Sequence, residues 1–435
     1  MGRCKRFLHF AVISPAPQDA IHHLIGKLRA LTRASRHSPS SPAPLEWDRN
    51  GVILRNADVI ITHCEVNERH GTGVHIKKMF RSRPNILSIR SENRYDGRQQ
   101  FGALALRIPH PDSDPQAARH RTAKAMGNST AGRILCVAYL PADAITALAL
   151  RELSGAPLCT YIVDDQNICV RRMPDDLLRR LLEQSSLRLA NSPEMRVAYQ
   201  AKYGLPFHYM PPVAPSYVIA GELQPPPTQA DPNHGVVIGN IWGPNWVRLL
   251  CRAVRGSGIR LTWYFPGDRR DLPVSVQQLE ACGILLKDPL PEDELVRTLR
   301  GCWFTVAPTG TLDRADDLRW VAQLSLPSRV VYLIAASHIP VLVLGNATTA
   351  AARFVEQFGV GLVADYDRTA FQAAVRRITG YDENLAMRRK AAAVGPRFSD
   401  EGAAEWIWQS LALGRPVDQR FEQLMPAVPP ALPAS

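Results

Sequence analysis

The sequence predicts an α/β protein made of two Rossmann-like doubly wound domains that face each other across a cleft. Short apolar runs alternate with helical patterns along most of the 435 residues, which is typical of βαβ units around parallel sheets. The alternation stops between Ala214 and His234, in a segment rich in proline and polar residues, and then starts again. With 46% hydrophobic residues, a chain of this length can bury two cores.

The first domain is predicted to cover residues 1–213. The run from Pro109 to Arg119 is rich in histidine, proline and aspartate and is interpreted as a loop. Helical patterns occur in GVHIKKMFRS, ADAITALALREL and DDLLRRLLEQ. The predicted strands are RFLHFAVI, ADVIITHC, NILSIRS, RILCVAYL, APLCTYIVDD and LRLANS.

A linker over residues 214–234 leads to a second domain predicted over 235–400. Residues 401–424 are predicted to form helices that could pack back on the first domain, and 425–435 a disordered tail. The predicted helices are NWVRLLCRAVRGSG, EDELVRTLRG, SLPSRVVYLIAAS and ATTAAARFVEQFG. The predicted strands are GVVIGNI, RLTWYFPG, ILLKDP, WFTVAP, PVLVLG and GLVAD.

The formal charge of +12 favours acidic partners such as nucleotide diphosphates or anionic lipids, although an arginine-rich composition can equally reflect codon usage. No nucleic acid is expected, because the sequence has no helix-turn-helix, zinc-finger or aromatic RNA-binding pattern. The longest apolar segment, Val330 to Leu344, contains Ser337, His338 and Pro340 and is too short to span a membrane. Peripheral contact of the basic first domain with an anionic membrane stays open.

The eight cysteines form no CxxC pair, and no histidines accompany them at a zinc-binding spacing. Those in ILCVAYL and PLCTYIV are expected to be small buried hydrophobes. We therefore predict a reducing, cytoplasmic compartment, at most peripheral to the inner face of the membrane, and no metal site.

Ligands of open α/β sheets bind beyond the carboxyl ends of the strands, so the residues after each predicted strand are the candidates. Gly71, Thr72 and Gly73 in HGTGV open a helix after ADVIITHC. The glycines permit close backbone approach, and the helix start offers free N–H groups to an anion. The alternative is a flexible loop followed by a solvated basic helix face.

Asp164 and Asp165 end the apolar strand in YIVDDQN. A carboxylate at this position can orient an acceptor hydroxyl or take its proton, which makes both residues candidate catalytic groups. The alternative interpretation is a helix cap or a salt bridge with Arg171 or Arg172.

Candidate nucleotide-binding residues of the second domain also follow strands. The strongest segment precedes the helix in SLPSRVVYLIAAS, where Pro327 pre-sets a turn, Ser328 can cap the helix and Arg329 adds a cation. The loop TGTLDRADDLRW, which follows another strand, is predicted to lie beside it. The full set is Gly239, Asn240, Trp242, Arg269, Thr309, Gly310, Ser325, Leu326, Pro327, Ser328 and Arg329.

These motifs resemble those of the GT-B-fold glycosyltransferases that use nucleotide sugars, over roughly Ala57 to Asp365. SLPSRVVYLIAASHIPVL is similar to the donor-binding segment of that family, LANSPEMRVAYQAKYGLPFHYMPP to the end of its first domain, and HGTGVHIKKMF to its glycine-rich loop. The resemblance implies transfer of a hexosyl or related group from a donor such as a UDP-sugar, in bacterial glycan, glycolipid or glycoconjugate synthesis. The acceptor would be a carbohydrate, a lipid-linked or a small molecule, and neither a metal nor a further cofactor is expected.

The chain departs from the family at one motif. Retaining members commonly carry a Glu-x7-Glu pair around the donor segment, and the matching positions here are Leu324 and Tyr332. Ser337 and His338 also replace the usual glycine after the helix. Retaining and inverting outcomes therefore both stay open.

Two other functions stay open beside the transferase. A nucleotide-sugar 2-epimerase shares the architecture but needs acid and base carboxylates around the sugar, for which the second domain offers few candidates. A non-catalytic binding or scaffold protein of the same fold would explain the missing glutamate pair. A glycoside hydrolase is disfavoured, because it needs two paired carboxylates and the layout is doubly wound.

Overall fold

The computed structural model describes residues 52–110, 114–316 and 318–424. The predicted strand RFLHFAVI and the predicted disordered tail lie outside these residues.

The described part of the first domain contains a seven-stranded parallel sheet in the order β3-β2-β1-β4-β5-β6-β7. The chain runs outward in both directions from β1 and β4, so the topological switch point lies between these two strands. The strands are β1 (Ala57–Thr62), β2 (Ile86–Arg90), β3 (Leu104–Arg107), β4 (Ala131–Val137), β5 (Leu158–Ile162), β6 (Leu187–Ala190) and β7 (His208–Tyr209). The helices are α1 (Gly71–Met79), α2 (Pro115–Met126), α3 (Pro141–Ser154), α4 (Asp175–Gln184) and α5 (Pro193–Tyr203).

The second domain repeats this plan with a six-stranded parallel sheet in the order β10-β9-β8-β11-β12-β13. Its switch point lies between β8 and β11. The strands are β8 (His234–Ile238), β9 (Arg260–Tyr264), β10 (Ile284–Lys287), β11 (Thr305–Pro308), β12 (Val341–Leu344) and β13 (Gly361–Ala364). The helices are α6 (Pro244–Val254), α7 (Val276–Cys282), α8 (Glu292–Arg300), α9 (Arg319–Leu324), α10 (Ser328–Ser337), α11 (Ala350–Phe358), α12 (Arg368–Ile378) and α13 (Tyr381–Val394).

The predicted α/β class with two doubly wound sheets is confirmed, while the predicted loop from Pro109 to Arg119 is wrong in its second half. Helix α2 begins at Pro115, and the side chain of Asp114 caps it by accepting from the backbone N–H groups of Gln116 and Ala117. An aspartate before a proline is a common helix start. The neighbouring histidine, proline and aspartate residues had made this start resemble a loop.

The C-terminal segment of the chain returns to the first domain. On helix α14 (Ala403–Leu413), the ring of Trp408 lies 5.5 Å from that of Phe80, and the guanidinium of Arg133 lies 4.6 Å from the Trp408 ring centroid. Further along, the carboxylate of Glu422 accepts from the backbone N–H of Tyr209 at 2.9 Å. The C-terminal segment is therefore hydrogen-bonded to β7, the strand at the edge of the first sheet.

Buried side chains of both sheets join in one apolar cluster. Tyr161 and Tyr209 of the first sheet belong to it together with Leu326 and Val330, which lie at the start of α10. The two domains are therefore packed together over a shared apolar interior. Among the described residues, none of the helices combines the length and apolarity that crossing a membrane requires.

Strand β13 depends on a glycine at its first position. A Cβ added at Gly361 would overlap the backbone carbonyl of Val341 on the paired strand β12. We expect Gly361→Ala to lower the free energy of unfolding by about 1–3 kcal/mol, because the two strands must move apart. Gly221→Ala, where a Cβ meets nothing within 4 Å, is the control and should leave the denaturation midpoint unchanged. Equal midpoints for the two variants would contradict the close approach of these strands.

Candidate functional site

Three side chains from neighbouring strand ends of the first sheet form a hydrogen-bonded chain. Thr72 lies in the first turn of α1, Tyr139 follows β4 and Asp164 follows β5. The hydroxyl oxygens of Thr72 and Tyr139 are 2.7 Å apart, and the Tyr139 hydroxyl donates to the Asp164 carboxylate at 2.6 Å. This chain of hydrogen bonds fixes the orientation of one carboxylate oxygen of Asp164, beyond the carboxyl ends of the strands.

A residue of the second domain faces the same carboxylate. Burial raises the pKa of Asp164, although the hydroxyls of Tyr139 and Ser325 both favour its ionised form. The Ser325 hydroxyl faces the Asp164 carboxylate, but the distance and angle between them do not meet the criteria for a hydrogen bond. The hydroxyl is therefore buried without a hydrogen-bond partner among the described residues. Buried hydroxyls are usually paired, so this one is suited to a bound ligand.

The segment that carries Ser325 is docked on the end of strand β6. The Ser192 hydroxyl donates to the carbonyl of Leu324, and the Asn191 amide donates to the carbonyl of Leu326 at 3.4 Å. Ser192 also caps α5 by accepting from the backbone N–H of Met195. The sequence motifs LANS and SLPS thus contact each other across the two domains.

Arg329 lies in the first turn of α10 with its guanidinium against the loop that follows β8. Its Nη1 donates to the carbonyls of Ile238 at 3.2 Å and Asn240 at 2.5 Å. Burial lowers the pKa of Arg329 to about 10, so the side chain is still a cation at neutral pH. Gly239 has a φ of 77°, a conformation that favours glycine and that turns these carbonyls toward the arginine.

The start of α10 also differs from the sequence expectation in one detail. Pro327 occupies the N-cap position and Ser328 is the first helical residue, so the prediction that Ser328 caps the helix is wrong. The first N–H groups of a helix have no acceptor within it. With no side-chain cap in place, those of α10 can bind an anion beside Arg329.

Helix α1 also begins without a side-chain cap. Its N-cap residue His70 makes no side-chain hydrogen bond to the helix. A Cβ at Gly73 would lie 3.1 Å from the backbone nitrogen and oxygen of Asn67, whereas one at Gly71 would meet nothing within 4 Å. Gly73 therefore allows the preceding loop to pack closely, and Gly71 leaves open space above the first turn.

Thr309 and Gly310 follow β11 and are fixed by their neighbours. The Tyr366 hydroxyl donates to the Thr309 carbonyl at 2.7 Å, and a Cβ at Gly310 would overlap Asp316. The Asp316 carboxylate accepts from the indole N–H of Trp246 at 2.8 Å and so holds the loop that leads into α9. The end of the predicted loop TGTLDRADDLRW is helical, since α9 begins at Arg319.

Asp165 is placed differently from Asp164. It is fully buried, and its carboxylate accepts from the backbone N–H groups of Asn167, Ile168 and Cys169 and from the Tyr199 hydroxyl, at 2.8–3.0 Å. Four donors leave its oxygens without access to a substrate. Asp165 therefore holds the loop after β5 in place; it forms neither the helix cap nor the salt bridge of the alternative interpretation, and only Asp164 faces the second domain.

Two further candidate residues lie at the margin. Arg269 is half exposed and pairs with Asp288 at 2.8 Å, and no contact joins it to Arg329. Trp242 is half exposed, and its ring lies edge-on to that of His70 at 6.3 Å, which places it over the first domain. Of the residues that sequence reasoning missed, Tyr139 lies inside the predicted strand RILCVAYL; the observed strand β4 ends at Val137, so the strand-end rule applied to the prediction did not reach it.

No family model matches the sequence, and none of the curated proteins is similar to it in sequence. Solved structures are similar in fold. HepE of Anabaena in complex with UDP and glucose aligns with a TM-score of 0.58 at 12% identity, over 82% of this chain and 99% of its own. The trehalose-6-phosphate synthase OtsA gives 0.56 at 12%, over 82% and 99%, and a glycosyltransferase from Rickettsia africae 0.55 at 11%, over 83% and 98%. The chain therefore has the GT-B fold, as the sequence resemblance implied.

Neutralisation of the two adjacent aspartates should affect stability differently. We expect Asp165→Asn to lower the free energy of unfolding by about 1–3 kcal/mol, because an amide cannot accept from all four donors. Asp164→Asn should cause no loss, because burial disfavours the charge of Asp164 in the folded protein and the amide oxygen can still accept from Tyr139. Chemical denaturation at neutral pH measures both, and equal losses would contradict the assignment.

Proposed function

We propose that the protein is a glycosyltransferase, which moves a sugar from a nucleoside-diphosphate sugar to an acceptor hydroxyl. The observation that carries this proposal is the meeting of Thr72, Tyr139 and Asp164 with Ser325 across the two domains. A site divided in this way can hold a donor on the second domain and an acceptor on the first. A UDP-sugar is the first donor to test, because HepE, which has the same fold, was solved with UDP-glucose.

The donor diphosphate would lie between the starts of α10 and α1. Arg329 supplies a cation, and each helix start supplies N–H groups without an intrahelical acceptor. Negative charge develops on the departing nucleoside diphosphate during transfer. Fixed donors aimed at that charge are usually the largest contribution to catalysis in a site of this kind.

Asp164 would act on the acceptor. Its pKa is raised by burial, which makes the carboxylate a better proton acceptor than an ordinary aspartate. The Tyr139 hydroxyl occupies one of its oxygens, so the other is the one that can approach an acceptor hydroxyl. A carbohydrate, lipid-linked or small-molecule acceptor fits this role, and the transfer step needs no metal and no cofactor besides the donor.

The epimerase and scaffold alternatives differ from the transferase in what they require. An epimerase needs free carboxylates around the donor sugar, whereas Asp316 is engaged by Trp246 and by the backbone of its own loop. A scaffold protein would have no need of a carboxylate whose pKa is raised and whose orientation is fixed. The transferase is thus the function that the geometry supports best.

Membrane contact at the inner face of a bacterial membrane remains part of the proposal for a lipid-linked acceptor. The basic face of α1 is a weak candidate for that contact, because its cations are already paired with carboxylates. Lys77 pairs with Glu68 and Lys78 with Glu292, and Arg81, which follows α1, pairs with Asp400.

A thermal-shift screen with UDP, GDP, dTDP, ADP and CMP tests the donor site. A ligand that binds only the folded state at a hundred times its Kd adds about 2.7 kcal/mol to stability. We expect one nucleoside diphosphate to raise Tm, and we expect Arg329→Ala to abolish the shift because the phosphate loses the Arg329 cation. Arg329→Lys, which keeps the charge, should restore part of it.

Arg260→Ala is the matched control, because Arg260 lies at the amino end of β9 and pairs with the exposed Asp231. It should leave the shift unchanged, and so should Arg269→Ala. A shift that survives in Arg329→Ala, or one abolished equally in Arg260→Ala, would refute the placement of the diphosphate. The absence of any shift would favour the scaffold alternative.

A further inference from the structure

A cluster of three potential metal ligands lies beside the proposed site, at the carboxyl end of β1. It consists of His63, Cys64 and His70 and is called the His–Cys cluster below. The Cys64 sulfur lies 3.3 Å from Nε2 of His63 and 3.9 Å from Nδ1 of His70, and all three atoms lie within 4.8 Å of one another. These residues have no role in the proposed transfer.

The backbone builds this cluster from residues that are not at a zinc-finger spacing. A bend after β1, in which the Thr62 hydroxyl donates to the carbonyl of Cys64, turns His63 and Cys64 toward the same space. His70 then comes back as the N-cap residue of α1. The sequence expectation of no metal site at the cysteines rested on their spacing, and spacing does not show such a bend.

A neighbouring carboxylate holds the surrounding loop in place. Glu65 is fully buried and accepts from the backbone N–H groups of Arg94, Tyr95 and Gly97 at 2.7–3.1 Å. These bonds hold the ring of Tyr95 5.9 Å from that of His70. The His–Cys cluster is therefore preorganised by contacts that do not use its own ligand atoms.

The ligand atoms of the His–Cys cluster face one another and have only weak partners in the protein. His63 is 3% exposed, and its Nε2 lies against the Cys64 sulfur, whose other contacts among the described residues are His70 Nδ1 and the Glu65 carbonyl, both at 3.9 Å. A buried imidazole and thiol that face each other without better partners are the groups that a thiophilic cation would hold together.

The distances suit a tetrahedral metal. With Zn–S of about 2.3 Å and Zn–N of about 2.0–2.1 Å, ligand atoms around tetrahedral zinc lie roughly 3.3–3.6 Å apart. The two sulfur–nitrogen distances in the cluster bracket this range, and rotation of the side chains must bring the two imidazole nitrogens, which lie within 4.8 Å of each other, to a similar separation. One thiol and two imidazoles favour zinc over magnesium or calcium, which prefer oxygen ligands.

We propose that the His–Cys cluster binds one zinc ion through His63 Nε2, Cys64 Sγ and His70 Nδ1, with a fourth position open to water or another ligand. Binding releases the thiol proton of Cys64 to solvent. The His63 ring lies 4.4 Å from the ring of Tyr139, which bonds Asp164, and the His70 ring lies 6.3 Å from that of Trp242 in the second domain. The ion would thus fix the loop before α1 at the boundary of the two domains.

The test uses the full chain, freed of metal with a chelator and then titrated with Zn²⁺ alone and with Co²⁺ as a spectroscopic probe. We expect one equivalent of zinc to remain after dialysis and the cobalt form to show a sulfur-to-metal charge-transfer band. Cys64→Ser should weaken zinc affinity at least tenfold and remove the band. Cys169→Ser, which changes an exposed cysteine elsewhere, should retain both.

His70→Gln is the second variant, chosen in case Cys64→Ser does not fold, and circular dichroism checks both. A folded variant that still retains one equivalent of zinc would overturn the proposal. So would a wild-type protein that takes up no stoichiometric zinc. Neither result depends on nucleotide binding, so failure here is distinct from failure of the proposed transferase function.

Discussion

The docking of the second-domain segment 324–327 on the end of strand β6 is the contact on which the proposed site depends. Ser192 holds the Leu324 carbonyl while it caps α5, and Asn191 holds the carbonyl of Leu326. Because these bonds are made to backbone atoms, they fix the path of the chain directly before α10. Ser325 lies between the two contacts and is therefore held against Asp164.

Other contacts between the domains support this arrangement from its edges. Lys78 on α1 pairs with Glu292 at 2.6 Å, and Arg353 on α11 pairs with the buried Glu194 at 3.3 Å. In both pairs the side chains are largely shielded from water, so each contributes more than a typical surface pair. Together with the shared apolar interior, these ion pairs hold the two domains in the observed relative position. A movement of one domain against the other would have to break them.

Electrostatics divides the site into two parts with opposite requirements. Asp164 is disfavoured as an anion by burial, whereas Arg329, whose pKa burial lowers only to about 10, remains a cation and donates to the carbonyls of Ile238 and Asn240. A buried charge is costly unless it is hydrogen-bonded, and the loop around Gly239 meets that requirement. The protein thus maintains a cation where a phosphate would bind and a proton acceptor where a hydroxyl would approach.

Sequence reasoning located the strands themselves, because buried parallel strands appear as short apolar runs, and it searched beyond their carboxyl ends, where ligands gather. It could not separate Asp164 from Asp165, since adjacent residues point to opposite sides and only the fold decides which one is capped by backbone N–H groups. It grouped Arg269 with Arg329 as candidate nucleotide-binding residues. Arg269 follows β9, which lies one strand further from the switch point than β8 does. Tyr139 and the His–Cys cluster depend on bends after β4 and β1 that leave no periodic pattern.

The most direct measurement is the turnover of the sugar nucleotide that stabilises the protein, with water as the acceptor, in the wild type and in Asp164→Asn. We expect kcat to fall by about 10²–10⁴-fold, as for loss of a general base. We expect the stabilisation by the nucleotide to be unchanged, because Asp164 is proposed to act on the acceptor and not on the diphosphate. An unchanged kcat in a folded Asp164→Asn variant would contradict the assignment of Asp164 and, with it, the site divided between the two domains.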